Sequence, residues 1–295
     1  MRALAAIPLL AGVLSACANP REAAPANSTP EKPQTLSIAA IPSVSDRKAA
    51  DLSHISRAAK GDLDEIIERG YLRVLVARSR TEFEARDGAV RGRAVDTGVA
   101  LEGFLNQRAK TTVVFIETAE DALVSDLLSG KGDVAANVLL TFERDDQVAF
   151  AKPVRSGIRE IVVNGPKESH VVSLEDVGGR SLHVRKSSDH YTSLLRLNEQ
   201  LQKIARPPAR VVVAPASQTD EDLLDQVNTG RIPATIVYDY VYDACCERLP
   251  GLKTNRDVAV SQDGSLAWVT RKEAPKLLAL LNEFFSTHAF LAAVP

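Results

Sequence analysis

The chain has 295 residues, of which 45% are hydrophobic and 25% are charged, as in an average globular protein. Thirty-six Lys and Arg residues against 38 Asp and Glu residues give a formal net charge of -2. This balance argues against a nucleic-acid-binding protein and against a polybasic membrane patch. Three cysteines exclude a disulfide scaffold, and the five histidines lack metal-ligand spacing, so we predict no metal and no cofactor.

Residues 1–16 have the pattern of a secretory signal. Residues 3–16 are apolar, follow Arg2 and are shorter than the roughly 20 residues that a membrane-spanning helix needs. The segment Leu14–Cys17 (LSAC) resembles the signal of bacterial lipoproteins, in which the cysteine is acylated. We therefore expect lipidation at Cys17 on the periplasmic side of a bacterial membrane. The alternative is an ordinary secretory signal with a chance cysteine.

Residues 17–60 have the composition of a linker. They include five of the fifteen prolines, mixed with Ala, Ser and Asn, and no apolar period persists among them. Such a segment cannot bury enough apolar surface to offset the conformational entropy lost on folding. We predict a lipid anchor and disordered tether here, and a globular part that begins near Gly61.

From Gly61 onward, apolar strands alternate with amphipathic helices in two sets. Predicted strands lie at 72–76, 113–116, 133–136, 160–163, 181–184, 211–213, 235–238 and 265–269. Predicted helices lie at 62–67, 96–107, 123–128, 191–204 and 221–227, and a last helix has Pro275 in its first turn. This alternation predicts an α/β protein with parallel strands. We expect lobe 1 at 61–160 plus 260–295, lobe 2 at 161–259, and a hinge of two crossing segments.

Polar side chains follow several of the predicted strands. Ligands of open α/β sheets bind beyond the carboxyl ends of the strands. A guanidinium can hold a carboxylate with two hydrogen bonds, and a carboxylate can pair with an amine, so this mixture suits a small zwitterion. The candidate ligand-binding residues are Ser79, Arg80, Asn137, Thr141, Arg144, Ser187, Ser188 and Asp239.

Several segments carry a family resemblance. Leu127–Asp133 (LLSGKGD) followed by Thr141–Arg144 (TFER) resembles the L-x-x-G-x-x-D and T-x-x-R pattern of family 3 extracellular solute-binding proteins of amino-acid ABC transporters. Other segments are similar to the binding domain of membrane-bound lytic murein transglycosylase F and its relatives: Leu72–Thr81, His183–Ser188, Asp222–Leu224 and Ile232–Thr235. The resemblance spans about residues 62–285. It implies a type II periplasmic-binding-protein fold, in which each lobe is a mostly parallel sheet flanked by helices.

The resemblance also implies roles for four residues. Arg144 matches the arginine that binds the ligand's carboxylate, and Asp239 matches the aspartate that pairs with its amino group. Ser187 and Ser188 match hydroxyl residues at a helix start that cap the carboxylate. Simpler roles stay open, because Arg144 could pair with a neighbouring acid and Asp239 could cap a helix.

The sequence also departs from the family pattern. Leu139 stands where amino-acid binders often have a ligand-binding threonine, and Phe142 replaces a common proline. The segment Ser79–Thr81 is unusually cationic for an amino-acid pocket. These departures leave room for a larger or more acidic ligand, such as a cell-wall peptide.

The resemblance implies a lipid-anchored receptor that delivers a small amine- and carboxylate-bearing solute to an ABC permease. The alternative is a sensor of cell-wall peptides or muropeptides that acts on a separate cell-wall enzyme. The transglycosylase relatives carry a catalytic domain with a G-L-M-Q-type segment, which we do not expect here because Met1 is the only methionine. No acid–base constellation supports an enzyme built on the binding-protein fold, so we expect no enzymatic activity.

Overall fold

The structure is a computed structural model that describes Ile55, residues 57–86 and residues 89–288. The predicted signal, Cys17 and most of the predicted linker lie outside these residues. Within the described part of the chain, no helix combines the length and apolar character that crossing a membrane requires.

The described residues form eleven strands and eight α-helices in alternation. The strands are β1 Tyr71–Ala77, β2 Glu84–Arg86, β3 Ala89–Arg91, β4 Thr112–Thr118, β5 Val134–Leu139, β6 Val148–Phe150, β7 Arg155–Asn164, β8 Ser181–Arg185, β9 Arg210–Ala214, β10 Ala234–Tyr238 and β11 Lys253–Arg271. The helices are α1 Leu63–Arg69, α2 Arg93–Asn106, α3 Leu123–Ser129, α4 Phe142–Asp145, α5 Asp189–Lys203, α6 Asp220–Asn228, α7 Asp239–Cys245 and α8 Pro275–Thr287.

Nine of the strands form one mixed sheet with the path β4-β1-β5-β11-β7-β10-β8-β9, and β6 pairs with β11. Strands β4, β1 and β5 are parallel to each other and form the sheet of the first lobe. Strands β10, β8 and β9 are likewise parallel and form the sheet of the second lobe. The antiparallel strands β7 and β11 lie between the two sets and run from one lobe to the other.

Local sequence explains where the helices begin and end. Asp62 and Glu65 form a capping box at the start of α1, and Gly70 ends that helix in the left-handed conformation. Thr219 and Asp222 form the same box at the start of α6. Pro275 occupies the first turn of α8, where its missing N–H has no intrahelical partner to lose.

Each lobe has apolar cores on both faces of its sheet. In the first lobe, α1, α2 and α8 cover one face, where Trp268 and Phe284 are buried. Leu123 and Leu127 of α3 pack on the other face. In the second lobe, α5 covers one face while α6 and α7 cover the other. Burial of both faces explains why these strands are continuous apolar runs.

The structure lengthens the two crossing strands relative to the prediction. The predicted strand 160–163 extends over Arg155–Asn164, and 265–269 extends over Lys253–Arg271. The added residues are polar and look like loop in the sequence, but long-range pairing between β7 and β11 overrides their propensity. The predicted lobe boundaries, at residues 160/161 and 259/260, fall inside these strands. The short elements β2, β3, α4 and β6 were not predicted, because three or four residues show no period.

Candidate functional site

A cavity of about 300 Å³ lies between the two lobes, beyond the carboxyl ends of β1, β5 and β8. The volume is at the lower end of the range for small-molecule sites. Among the described residues that line it, six carry carboxylates and three carry guanidinium groups. These are Glu82, Glu120, Asp121, Asp189, Asp220 and Glu221, with Arg78, Arg144 and Arg185.

The Arg144 side chain, from the first lobe, contacts a residue of the second lobe. Thr141 caps the short helix α4 by accepting a hydrogen bond from the Arg144 backbone N–H, which holds the arginine at the cavity. The guanidinium donates to both carboxylate oxygens of Asp189, at 2.7 and 3.2 Å, and to the Leu139 carbonyl at 3.1 Å. Tyr238 Oη donates to Asp189 at 3.3 Å. Asp189, the first residue of α5, thus makes the two-pronged contact expected of a ligand carboxylate.

Glu221 of α6 makes a second contact across the lobes. Its Oε1 accepts hydrogen bonds from the hydroxyl groups of Ser79 and Thr81, at 2.7 and 2.9 Å, and from the Thr81 backbone N–H at 3.0 Å. The residue is 1% exposed, and its Oε2 has no hydrogen-bond partner among the described residues. A buried carboxylate oxygen without a partner is costly, so it is a candidate contact for a bound donor.

A buried charge network extends from the cavity into the second lobe. Arg185 pairs with Asp220 at 2.7 Å and with Glu120 of the first lobe at 3.1 Å. His190 lies between Glu160 on β7, at 2.9 Å, and Asp220, at 3.3 Å. The network therefore connects the first lobe, helices α5 and α6, and one of the two crossing strands.

Burial and neighbouring charges shift several pKa values here. Burial raises the pKa of Glu120 to about 7, although Arg185 opposes the shift. Burial alone would lower the pKa of His190, but Asp220 and Glu160 raise it well above its ordinary value. Arg185 and His190 hold the pKa of Asp220 below its usual range against the effect of burial. Glu120 is thus a group of the cavity that titrates near neutral pH.

Asn137 and Glu82, which both line the cavity from the first lobe, are hydrogen-bonded to each other. The Asn137 side-chain amide donates to Glu82 at 2.9 Å, and burial raises the pKa of Glu82. Asn137 directly follows three buried residues of β5 and has a φ of 55°. A left-handed backbone is unusual inside a strand, and such outliers concentrate at functional sites.

Of the predicted site residues, Ser79, Asn137 and Arg144 line the cavity. The other five are not among its lining residues. Arg80 pairs with Asp225 at 2.8 Å outside the cavity lining, where both side chains are exposed, so its charge does not make the cavity cationic. Asp239 accepts hydrogen bonds from Arg159 and from the Tyr240 N–H, which makes it a local helix-start residue.

Ser187, Ser188 and Thr141, the other predicted site residues, also lie outside the cavity lining. Ser188 directly precedes α5 and donates to the Arg185 carbonyl at 2.9 Å. Ser187 also lies outside the cavity lining, and Thr141 serves as the cap described above. Arg80, one basis for the expectation of a larger or more acidic ligand, faces acids on α6, and more carboxylates than guanidinium groups line the cavity. The ligand expectation itself stays a prediction.

Sequence reasoning missed most of the acidic lining. Glu82, Glu120 and Asp189 follow strands by a few residues, but the predicted site residues were mainly the cations and hydroxyl groups at such strand ends. Asp220 and Glu221 belong to an acidic run after a capping threonine, which looks like an ordinary helix start. The signal that could have identified these two acids is the position of the run, which follows the end of strand β9. Among the described residues, no group of three His, Cys, Asp or Glu side chains could hold a metal ion.

Residues 72–288 match the family described as bacterial extracellular solute-binding proteins, family 3. This match covers most of the chain. The chain belongs to this family. Among proteins with curated descriptions, none matches the sequence significantly.

Solved structures of the same architecture confirm the predicted α/β fold with two lobes. A variant of ArgBP from T. maritima is 22% identical, with a TM-score of 0.60, covering 76% of this chain and 91% of that one. AbpA from Streptococcus pneumoniae, an amino acid ABC transporter substrate-binding protein solved with L-arginine, is 18% identical, with a TM-score of 0.62, covering 79% and 100%. An ancestral arginine-binding protein is 22% identical, with a TM-score of 0.60, covering 76% and 95%. At these identities the likeness concerns the fold.

Proposed function

We propose that this family 3 solute-binding protein is the receptor of an ABC transporter for a small amine-bearing solute, an amino acid or a related compound. The observation that carries the proposal is the cavity between the lobes, in which six carboxylates outnumber three guanidinium groups. A cavity with an excess of carboxylates favours a ligand with a positive charge, because the buried charges need counter-charges.

Structural neighbours support the amine-bearing class. One of those described above is an arginine-binding protein, and two, AbpA and that ancestral protein, were solved with arginine bound. The cavity of about 300 Å³ also favours a small solute over a muropeptide, which is the ligand of the sensor alternative. We propose Ser79, Asn137, Arg144 and Glu221 as residues of the site, and we assign the protein no catalytic step.

The proposal includes a position and a partner. Cys17, with its lipid, would hold the protein at the periplasmic side of a membrane, and residues 17–60 would let the lobes reach a permease. The lobes themselves would be residues 61–160 plus 260–295 and residues 161–259. Closure about β7 and β11 would enclose the solute, as in other hinged two-lobe proteins.

A thermal-shift screen tests the proposal directly. Amino acids, diamines, dipeptides and muropeptides are added to the purified protein, and stabilisation follows RT ln(1 + [L]/Kd), about 2.7 kcal/mol at a hundredfold excess over Kd. We expect stabilisation by amine-bearing small molecules and no release of muropeptides from peptidoglycan. Stabilisation by muropeptides alone would support the sensor instead, and no stabilisation by any class would overturn both functions.

A further inference from the structure

Arg144, to which the family resemblance assigns the ligand's carboxylate, already binds a carboxylate of its own chain. Arg144 meets Asp189 through two hydrogen bonds, and the acid comes from the opposite lobe. Both side chains are largely buried, with 24% and 18% of their surfaces exposed. A planar guanidinium forms one such fork with one carboxylate. A solute carboxylate would have to displace Asp189 and leave that acid beside the cavity without its counter-charge.

The other guanidinium groups of the cavity do not offer a replacement. Arg185 is matched by Asp220 and Glu120 at 2.7 and 3.1 Å, so its charge is balanced twice. Arg78 also lines the cavity but is exposed, so water screens its charge. A solute carboxylate inside the cavity would therefore be close to several acids, and the one lining guanidinium without an acidic partner among the described residues, that of Arg78, is screened by water.

The acids of the cavity, in contrast, do offer a site for a cation. The Glu221 carboxylate is held by the neutral donors Ser79 and Thr81, and its buried Oε2 has no hydrogen-bond partner among the described residues. Glu82 accepts a hydrogen bond from the Asn137 amide, but Arg93 and Arg155 lie near enough to counter its charge, so the open site is that of Glu221. An ammonium or guanidinium group of a solute would satisfy the open Glu221 oxygen and reduce the negative excess.

We infer that the solute is a small organic cation without an α-carboxylate, because Asp189 supplies on Arg144 the carboxylate that an amino acid would bring. This inference rests on the proposed function, since it takes the cavity as the solute site. It narrows the solute from amine-bearing compounds in general to amines or guanidines whose carboxyl group is absent or blocked.

Matched pairs of probes test the inference without any substitution. Arginine and agmatine, lysine and cadaverine, and ornithine and putrescine differ within each pair by the carboxylate alone. Titration calorimetry on the unaltered protein should give a Kd at least tenfold lower for the carboxylate-free member of at least one pair. The other result, a lower Kd for the amino acid in each pair that binds, overturns the inference and leaves the proposed function standing.

The variant Asp189→Asn tests the residue itself. The amide keeps the size of the side chain but removes the charge, so Arg144 becomes available to a solute carboxylate. We expect the amino acid of the preferred pair to bind at least tenfold more tightly than to the unaltered protein. Asp243→Asn is the matched control, because it removes an acid from another Asp–Arg pair of the second lobe, with Arg256, outside the cavity.

Each outcome decides a separate point. A gain in Asp189→Asn and none in Asp243→Asn supports the inference. No gain in a variant whose circular dichroism and melting temperature match those of the unaltered protein overturns the role of Asp189. Should Asp189→Asn fail to fold, the comparison within probe pairs on the unaltered protein decides alone. If neither member of any pair binds and the thermal-shift screen is also empty, the proposed function falls together with the inference.

Discussion

Two ion pairs at the cavity each join a carboxylate of one lobe to a guanidinium group of the other. Asp189 of the second lobe meets Arg144 of the first, and Glu120 of the first lobe meets Arg185 of the second. Each pair takes one residue from each lobe, so these two ion pairs form only when the lobes are together. Removing one member leaves a largely buried charge behind, which is why single substitutions here should have large effects.

Glu221→Gln should weaken binding of the tightest amine of the screen. Removing one partner of a buried, hydrogen-bonded charge pair costs about 2–5 kcal/mol, or roughly thirtyfold or more in Kd. Glu199→Gln on the exposed face of α5 makes the same chemical change away from the cavity and should leave Kd unaltered. Calorimetry on both variants is the measurement, and equal Kd values for the two would rule out Glu221 as a ligand contact.

Amine binding should also strengthen as the pH rises through neutrality. The pKa of Glu120 is about 7 because the carboxyl is buried. A bound cation stabilises the ionised form and lowers this pKa, so binding releases a proton and the affinity increases with pH until Glu120 is ionised in the free protein. The raised pKa of His190 and the lowered pKa of Asp220 keep these two neighbours charged near neutral pH.

The increase should be at most about tenfold per pH unit, since one proton is involved. Titrations between about pH 6 and about pH 8 measure it, and Glu120→Gln should remove most of the slope while Asp243→Asn keeps it. A slope that survives intact in Glu120→Gln would assign the proton to another group.

At the scale of elements, packing decides what local propensity leaves open. Helix α2 contains Gly98 and Gly103, which have the same low helix propensity. A side chain at Gly98 would overlap the ring of Phe115 on β4, whereas Gly103 faces open space. The first glycine is needed for the close approach of α2 to the sheet, and the second is not.

Alanine substitutions at these two glycines should therefore have opposite effects. Gly98→Ala should lower the free energy of unfolding by about 1–3 kcal/mol, the usual cost of overpacking. Gly103→Ala should raise it by about 0.5–1 kcal/mol, because alanine is the better helix former. Denaturant unfolding of both variants gives the comparison, and each serves as the other's control. Destabilisation by Gly103→Ala would show that the surroundings of α2 differ from those described.

At the scale of the whole molecule, the paired strands β7 and β11 connect the two lobes. Their pairing changes register four times, between Thr254 and Ser265 on β11. Such irregularities bend and twist a strand pair. They lie where the pair passes from one lobe to the other, which is the place where a hinge would need them.

Cys17→Ser should release the whole protein from the membrane. The motif Leu14–Cys17 predicts that acylation of the cysteine holds the chain, and serine provides no thioether for the lipid. Fractionation of cells and labelling with a fatty-acid analogue measure the change. Cys246→Ser, within the globular part, is the control and should stay with the membrane. Retention of Cys17→Ser at the membrane would disprove the lipoprotein prediction.

Much of the fold could be predicted from sequence because its signals are local. Apolar periods located the six parallel strands and most of the helices, and the motifs that contain Asp133 and Arg144 indicated the family. Pro275 lies in the first turn of the last helix as predicted, and the helix predicted from residue 62 begins one residue later, with Asp62 as its N-cap. Each of these signals depends on residues that are close together in the sequence, so a single sequence is enough to detect it.

The chemistry of the cavity was decided by tertiary structure alone. Arg144 and Asp189 are 45 residues apart, and Ser79 and Glu221 are 142 residues apart. No local pattern couples such positions, because the pairing depends on how two separately folded lobes meet. The sequence by itself determined an α/β chain of the solute-binding family with an arginine at a strand end. Only the folded molecule determined that this arginine faces an acid of its own chain, and that charge balance is what sets the expected solute.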